Sequence, residues 1–194
     1  MSIPIPNARP DSSWDLLKSR LEKAGHNVAS LLSQRLFVVA VRGLFSITIG
    51  KPGNDINAYD DGIYVVRVSN GQPTVTTFNG NTDSTRYGWN AGAGKYMANL
   101  KPGSYWMKKR MHRGKYWAFG QCDRDVVVDR IDSAGKVRAT ERGQFGIDLH
   151  PGGAVSTSSE GCQTVPREQW DALYRLITET VGDGWFPYVL LAGD

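Results

Sequence analysis

Apolar residues recur at helical spacing near both ends of the chain. Trp14, Leu17, Leu21 and Ala24 fall three or four apart, with Asp11 and Ser12 available as caps and Gly25 as a stop, which predicts a short amphipathic helix. A second short helix is expected over 28–34. Toward the other end, Trp170, Leu173, Tyr174, Ile177 and Val181 form one apolar stripe that starts at Pro166 or Arg167. Between these helices the pattern changes near residue 35 to short runs rich in Val, Ile, Phe and Tyr, at 36–41, 62–68, 74–78, 104–108, 115–119, 125–131, 145–150 and 186–191. Turn signals at Lys51-Pro52-Gly53-Asn54, Asn70-Gly71, Asn79-Gly80 and Lys101-Pro102-Gly103 separate several of them and suggest antiparallel pairing. The chain therefore reads as mainly β with minor α. The expectation is a mixed β-sheet or sandwich with one packed C-terminal helix over 36–194, preceded by an N-terminal helical appendage over 1–35.

Composition narrows this further. At 194 residues, 40% of them hydrophobic and 22% charged, the chain is long enough for one folded domain and too apolar to be disordered. Its two cysteines, Cys122 and Cys162, exclude a disulfide scaffold and turn attention to what a thiol does here; no bridge between them is expected. A net charge of +4 and a pI near 9.1 favour anionic partners. The longest apolar run stops at Arg42, well short of the ~20 residues of a membrane span, so no membrane insertion is expected. Residues 1–7 lack a basic start followed by an apolar stretch, so no secretory signal is expected either.

The informative stretch runs from Phe145-Gly146-Ile147-Asp148-Leu149-His150-Pro151-Gly152-Gly153 to Ser158-Ser159-Glu160-Gly161-Cys162-Gln163-Thr164-Val165-Pro166. Phe145, Ile147 and Leu149 point to one face of a strand, so Gly146, Asp148 and His150 point to the other. A cysteine nucleophile needs a neighbouring base, and His150, twelve residues before Cys162, is the nearest one. Gly161 leaves room beside the sulfur for another molecule, and the backbone through Gly161 and Cys162 can aim N–H groups at a developing oxyanion. Against this stands the plain reading of a buried apolar cysteine and an unremarkable histidine.

At these residues the chain resembles the L,D-transpeptidase catalytic domain, also called YkuD-like. His150, eight intervening residues and Ser159-Glu160-Gly161-Cys162 match the family's His…Ser-x-Gly-Cys signature. Leu100-Lys101-Pro102-Gly103-Ser104-Tyr105-Trp106 is similar to its Thr-Pro-x-Gly-x-Phe strand start, and a helix and strand follow the cysteine as the family requires. Tyr59-Asp60-Asp61 and Asn81-Thr82-Asp83 look like phage or mobile-element relatives. The resemblance implies an L,D-transpeptidase-like fold over 36–194 and an enzyme that acts on peptidoglycan stem peptides through a thioacyl intermediate, transferring the acyl group to an amine or to water. It assigns Cys162 as nucleophile, His150 as base oriented by a backbone carbonyl, Ser159 as a loop-shaping residue, and Gly161 with Cys162 as backbone donors. Asp148, Gly152, Gly153, Ser158, Arg142 and Tyr105 are the expected substrate-side residues. One position departs: Thr164 stands where the family has arginine, and Arg142 or Arg167 are the replacements considered. With no secretory signal expected, action at the cell wall calls for release on lysis, carriage on a particle or a specialised secretion apparatus.

The remaining features are weaker. The run Lys108-Lys109-Arg110-Met111-His112-Arg113-Gly114-Lys115-Tyr116-Trp117 reads as a solvated hairpin with Tyr116 and Trp117 packed inward. No RNP, helix-turn-helix or zinc pattern accompanies it, so no nucleic-acid partner is expected. His26, His112 and His150 lack the short spacing of a metal site, and no cofactor or metal is expected. Tyr87, Trp89, Trp106 and Trp117 are alternatives for a sugar or peptide groove or for the core. The N-terminal helix either packs on the body or docks a partner. The rival function is a non-catalytic wall-binding or virion structural module with the same fold.

Overall fold

The computed structural model describes residues 2–45 and 56–193, so the turn signal at Lys51-Pro52-Gly53-Asn54 lies outside the described residues. Within them the elements are α1 (Trp14–Lys23), α2 (Val28–Leu32), β1 (Leu36–Val41), β2 (Asp61–Ser69), β3 (Gln72–Gly80), β4 (Trp89–Asn90), β5 (Lys95–Leu100), β6 (Gly103–His112), β7 (Tyr116–Gly120), β8 (Val126–Ile131), β9 (Val137–Gly143), β10 (Asp148–Pro151), β11 (Gln163–Val165), α3 (Arg167–Val181) and β12 (Phe186–Leu191). Strand exceeds helix 41% to 16%, so the mainly-β class holds. No described helix is long and apolar enough to cross a membrane.

Eight strands form one mixed sheet in the order β11-β10-β7-β6-β12-β1-β2-β3, and β4-β5-β8-β9 form a second. In the larger sheet only β1 with β12 and β10 with β11 run parallel. Asn81, just beyond β3, exchanges two 2.8 Å backbone hydrogen bonds with Thr164 on β11, which brings the two outer strands together and curls the sheet on itself. Two hairpin turns have both residues at positive φ, the geometry that matches strand twist: Asn70-Gly71 (50° and 74°) and Arg113-Gly114 (48° and 69°).

β1 and β12 are buried on both faces, which is why they appear in the sequence as unbroken apolar runs. Val38, Ala40, Tyr188 and Leu190 face a core completed by Trp170, Leu173 and Ile177 of α3 and by Leu100 and Val128 of the small sheet. The alternate residues Phe37, Val39, Val41, Val189 and Leu191 face Leu17 and Leu21 of α1 and Val28 and Leu31 of α2. At about 2 kcal/mol for each side chain buried, these four helix residues are a substantial part of the fold. The N-terminal segment is thus the cover of a sheet face, and its apolar stripe is not free for a partner.

Several local expectations change. Ser13, rather than Asp11 or Ser12, caps α1: its Oγ accepts from the Leu16 N–H at 3.3 Å. Asn79-Gly80 is not a turn but the end of β3, where the absent Cβ of Gly80 makes room for Ile63, whose Cγ1 would be only 2.5 Å away. The strand expected at 145–150 begins only at Asp148, because Gly146 takes a φ of 69° while the Phe145 and Ile147 N–H groups both donate to Gln121 Oε1.

Candidate active site

The parallel pairing of β10 with β11 sets His150 opposite Thr164 and Leu149 opposite Gln163, so Cys162, immediately before β11, lies beside β10. A parallel neighbour requires a crossover rather than a tight turn, and the loop after Pro151 supplies it. That loop is anchored at several points. Thr85 donates its N–H to Ser159 O and accepts the Ser159 N–H on Oγ1, both at 2.8 Å; Asn57 Oδ1 accepts the Thr157 N–H at 2.9 Å; and Tyr59 OH donates to Gly153 O at 2.8 Å. Ser159 Oγ donates to Cys162 O at 2.7 Å and accepts the Gly161 N–H at 3.1 Å, closing the turn that carries the cysteine.

Leu149 and Ile147 enter the apolar core, while Asp148 and His150 face the other way and are nonetheless buried, at 2% and 1% exposure. The cover comes from the β6–β7 hairpin, whose β7 pairs with β10. His112 from β6 lies with its ring centre 4.4 Å from that of His150, and Tyr116 stacks on His112. His150 Nδ1 donates to the Pro151 carbonyl at 2.9 Å, leaving Nε2 as the lone-pair nitrogen; Nε2 is buried without a hydrogen-bond partner. His112 Nδ1 pairs with Asp148 Oδ2 at 2.7 Å, and Arg110 approaches Asp148 Oδ1 at 3.6 Å. One ring nitrogen of each histidine and Cys162 Sγ lie within 4.8 Å of one another.

Burial dominates the electrostatics. It pushes the Cys162 thiol up to about 12, against a backbone N–H of Asp148 that faces the sulfur and favours the thiolate. It lowers His150 to about 4, helped by the neighbouring His112 and Arg113. Burial also raises Asp148, opposed by the hydrogen bond from His112 and the charge of Arg110. The resting pair is therefore a neutral thiol, which donates to the Gly146 carbonyl at 3.5 Å, near a neutral imidazole whose Nε2 has no partner.

Cys162 lines a cavity of about 390 Å³, whose walls include His112, Asp148, Arg110, Arg113, Arg130, Phe145 and Glu160; His150 lies behind it and does not line it. Cys162, His150, Ser159, Gly161 and Asp148 thus come together as a unit. Other expected residues do not reach it. Tyr105 is buried in the core and donates to Lys101 O at 2.6 Å; Arg142 is an exposed β9 residue 3.4 Å from Asp125; Gly152, Gly153 and Ser158 shape the crossover loop outside the cavity. Arg167 is exposed at the start of α3, and Thr164 is buried in the β3–β11 seam. Gly161 is glycine because its φ is 124° and a Cβ would lie 2.4 Å from Ala98 O, not to admit a ligand. Its N–H is already taken by Ser159, so it is not an oxyanion donor in this conformation.

Sequence reasoning missed His112, Arg110, Arg113, Tyr116 and Arg130. Of the two hairpin aromatics expected inward, Tyr116 is half-buried against His112, whereas Trp117 is 50% exposed beneath Lys109 and His112 is the buried residue. Strand alternation in β6 was the available signal, since it sets Arg110 and His112 on one face. Tyr87, Trp89, Trp106 and Trp117 do not line the cavity. Both cysteines are free. No family model matches the chain, nor does any curated protein or solved structure.

Proposed function

We propose that the chain is a cysteine acyltransferase or peptidase of the L,D-transpeptidase type, acting on peptidoglycan stem peptides by transpeptidation or hydrolysis. The observation that carries this reading is the His150–Cys162 pair, joined across parallel strands beside an arginine-lined cavity, with His150 Nδ1 held by the Pro151 carbonyl and its Nε2 unengaged. In the first step Sγ attacks a peptide carbonyl carbon while the thiol proton passes to His150 Nε2. Collapse of the tetrahedral adduct breaks the C–N bond, and the imidazolium returns that proton to the departing amine. The resulting thioester is then taken by an amine, giving a new cross-link, or by water, giving hydrolysis. The Asp148 N–H that faces the sulfur stabilises charge gathering there.

Arg110 of β6, Arg113 of the β6–β7 turn and Arg130 of β8 line the cavity, paired with Asp148, Glu160 and Glu141. Exchange of Arg113, whose pair with Glu160 is exposed, onto a stem-peptide carboxylate would supply the role that the family arginine after the cysteine would have had. A wall substrate implies that the protein works outside the cytoplasm. Muropeptide profiles of murein incubated with the wild-type protein, Cys162→Ala and His150→Ala test the proposal. New products from the wild type alone are expected. Identical profiles for all three proteins would reject it in favour of a non-catalytic wall-binding or virion structural module.

A further inference from the structure

The acyl-transfer chemistry above uses one histidine, yet two stand at the sulfur. His112 comes from β6, His150 from β10 and Cys162 from the turn before β11, and a nitrogen of each ring and Sγ fall within a 4.8 Å cluster. All three residues are buried. Each imidazole is held through Nδ1, His112 by the Asp148 carboxylate at 2.7 Å and His150 by the Pro151 carbonyl at 2.9 Å. This is how metal-ligating histidines are held: an acceptor on one nitrogen fixes the ring and leaves Nε2 to bind. His150 Nε2 is buried without a hydrogen-bond partner, an unfavourable state that a ligated ion would remove.

The donor set is two imidazole nitrogens and one thiolate sulfur, and His112 and Cys162 border the open cavity. Three N/S ligands with the fourth position open to solvent suit Zn²⁺, a borderline-soft ion that accepts tetrahedral geometry. Zinc bonds of about 2.0–2.1 Å to nitrogen and 2.3 Å to sulfur put the donors roughly 3.4–3.6 Å apart. Closing from the observed cluster therefore takes movements of about an ångström.

We infer that His112, His150 and Cys162 form a zinc site whose occupation silences the thiol. Binding replaces the Cys162 thiol proton, which leaves to solvent, and engages the lone pair of each Nε2; a water from the cavity fills the fourth position. The sulfur electron pair and the base of the acyl-transfer pair are then both committed to the ion. The silencing, but not the binding, rests on the function proposed above.

Full-length protein stripped with a chelator and returned to zinc should retain one ion per chain after gel filtration. Cobalt in place of zinc should show a sulfur-to-cobalt charge-transfer band together with intense visible bands of tetrahedral coordination. Asp148→Asn should weaken zinc binding about 10- to 100-fold by loosening His112, and Cys162→Ser should abolish the charge-transfer band. Retention below a tenth of an ion per chain, or a cobalt spectrum without the sulfur band in the wild type, overturns the site regardless of how any variant folds. Zinc binding by a protein that leaves murein untouched even in chelator upholds the site and rejects the proposed function. Murein turnover in chelator that zinc does not suppress, with zinc bound, overturns the silencing.

Discussion

The elevated Cys162 thiol has a consequence that a simple alkylation measures. A free cysteine with a pKa near 8.5 is about one-quarter thiolate at pH 8, whereas a thiol held at about 12 is ionised to roughly one part in ten thousand. Ionisation alone slows Cys162 by roughly 2,000-fold. A more basic thiolate is intrinsically more nucleophilic, and a Brønsted slope of about 0.4–0.5 over 3.5 units returns roughly 40-fold. The net expectation is labelling by iodoacetamide about 50-fold slower than glutathione at pH 8, before the steric effect of a residue only 8% exposed. The rate should then rise tenfold per pH unit without levelling off up to about pH 11. Peptide mass spectrometry in the presence of a chelator resolves Cys162 from Cys122 and keeps the site free of metal. Labelling of Cys162 at the glutathione rate near neutrality, with a plateau below pH 9, would show a preformed thiolate and refute the neutral-pair reasoning. Under the function proposed above, murein turnover would be far less affected than alkylation, since there the thiol proton passes to His150 during attack instead of beforehand.

Three further outcomes test the same structure. Because burial lowers His150 to about 4 from its ordinary 6.5, its contribution to stability is complete above pH 6.5 and is lost as the pH falls toward 4. Wild-type protein should lose up to about 3 kcal/mol more than His150→Gln between pH 7 and pH 4 in urea titrations, and parallel losses would contradict the assignment. Leu21→Ala in α1 should cost about 2–5 kcal/mol in the same assay; a change under about 0.5 kcal/mol would contradict the packing of α1 on the sheet. Gly161→Ala forces a Cβ to 2.4 Å from Ala98 O at a φ of 124°, so a loss of at least about 2 kcal/mol is expected, and an unchanged urea midpoint would rule out that close approach.

How much could be read beforehand differs between elements for physical reasons. The bounds of β1, β12 and α3 were legible because their burial is continuous or follows one period. β9, reading Val-Arg-Ala-Thr-Glu-Arg-Gly and largely exposed, has no apolar face to announce it and exists by pairing with β8. β11 has only three residues and depends on β10 and on the Asn81 bridge. Periodicity reports what a segment buries, and segments that pair without burying an apolar face leave no such trace.

For the site, the sequence by itself determined which residues could pair: a histidine at a strand end, a glycine-rich crossover and a cysteine after a glycine, in an order that limits their separation. The tertiary structure decided their surroundings. The β6–β7 hairpin, more than thirty residues upstream of His150, delivers His112, Arg110 and Arg113 to the same cavity, and β8 adds Arg130. No local spacing encodes that arrangement, because it follows from β7 pairing with β10 and from the alternation of side chains along β6. Burial, and with it the upward shift of the Cys162 thiol and the downward shift of His150, likewise arises only in the folded chain.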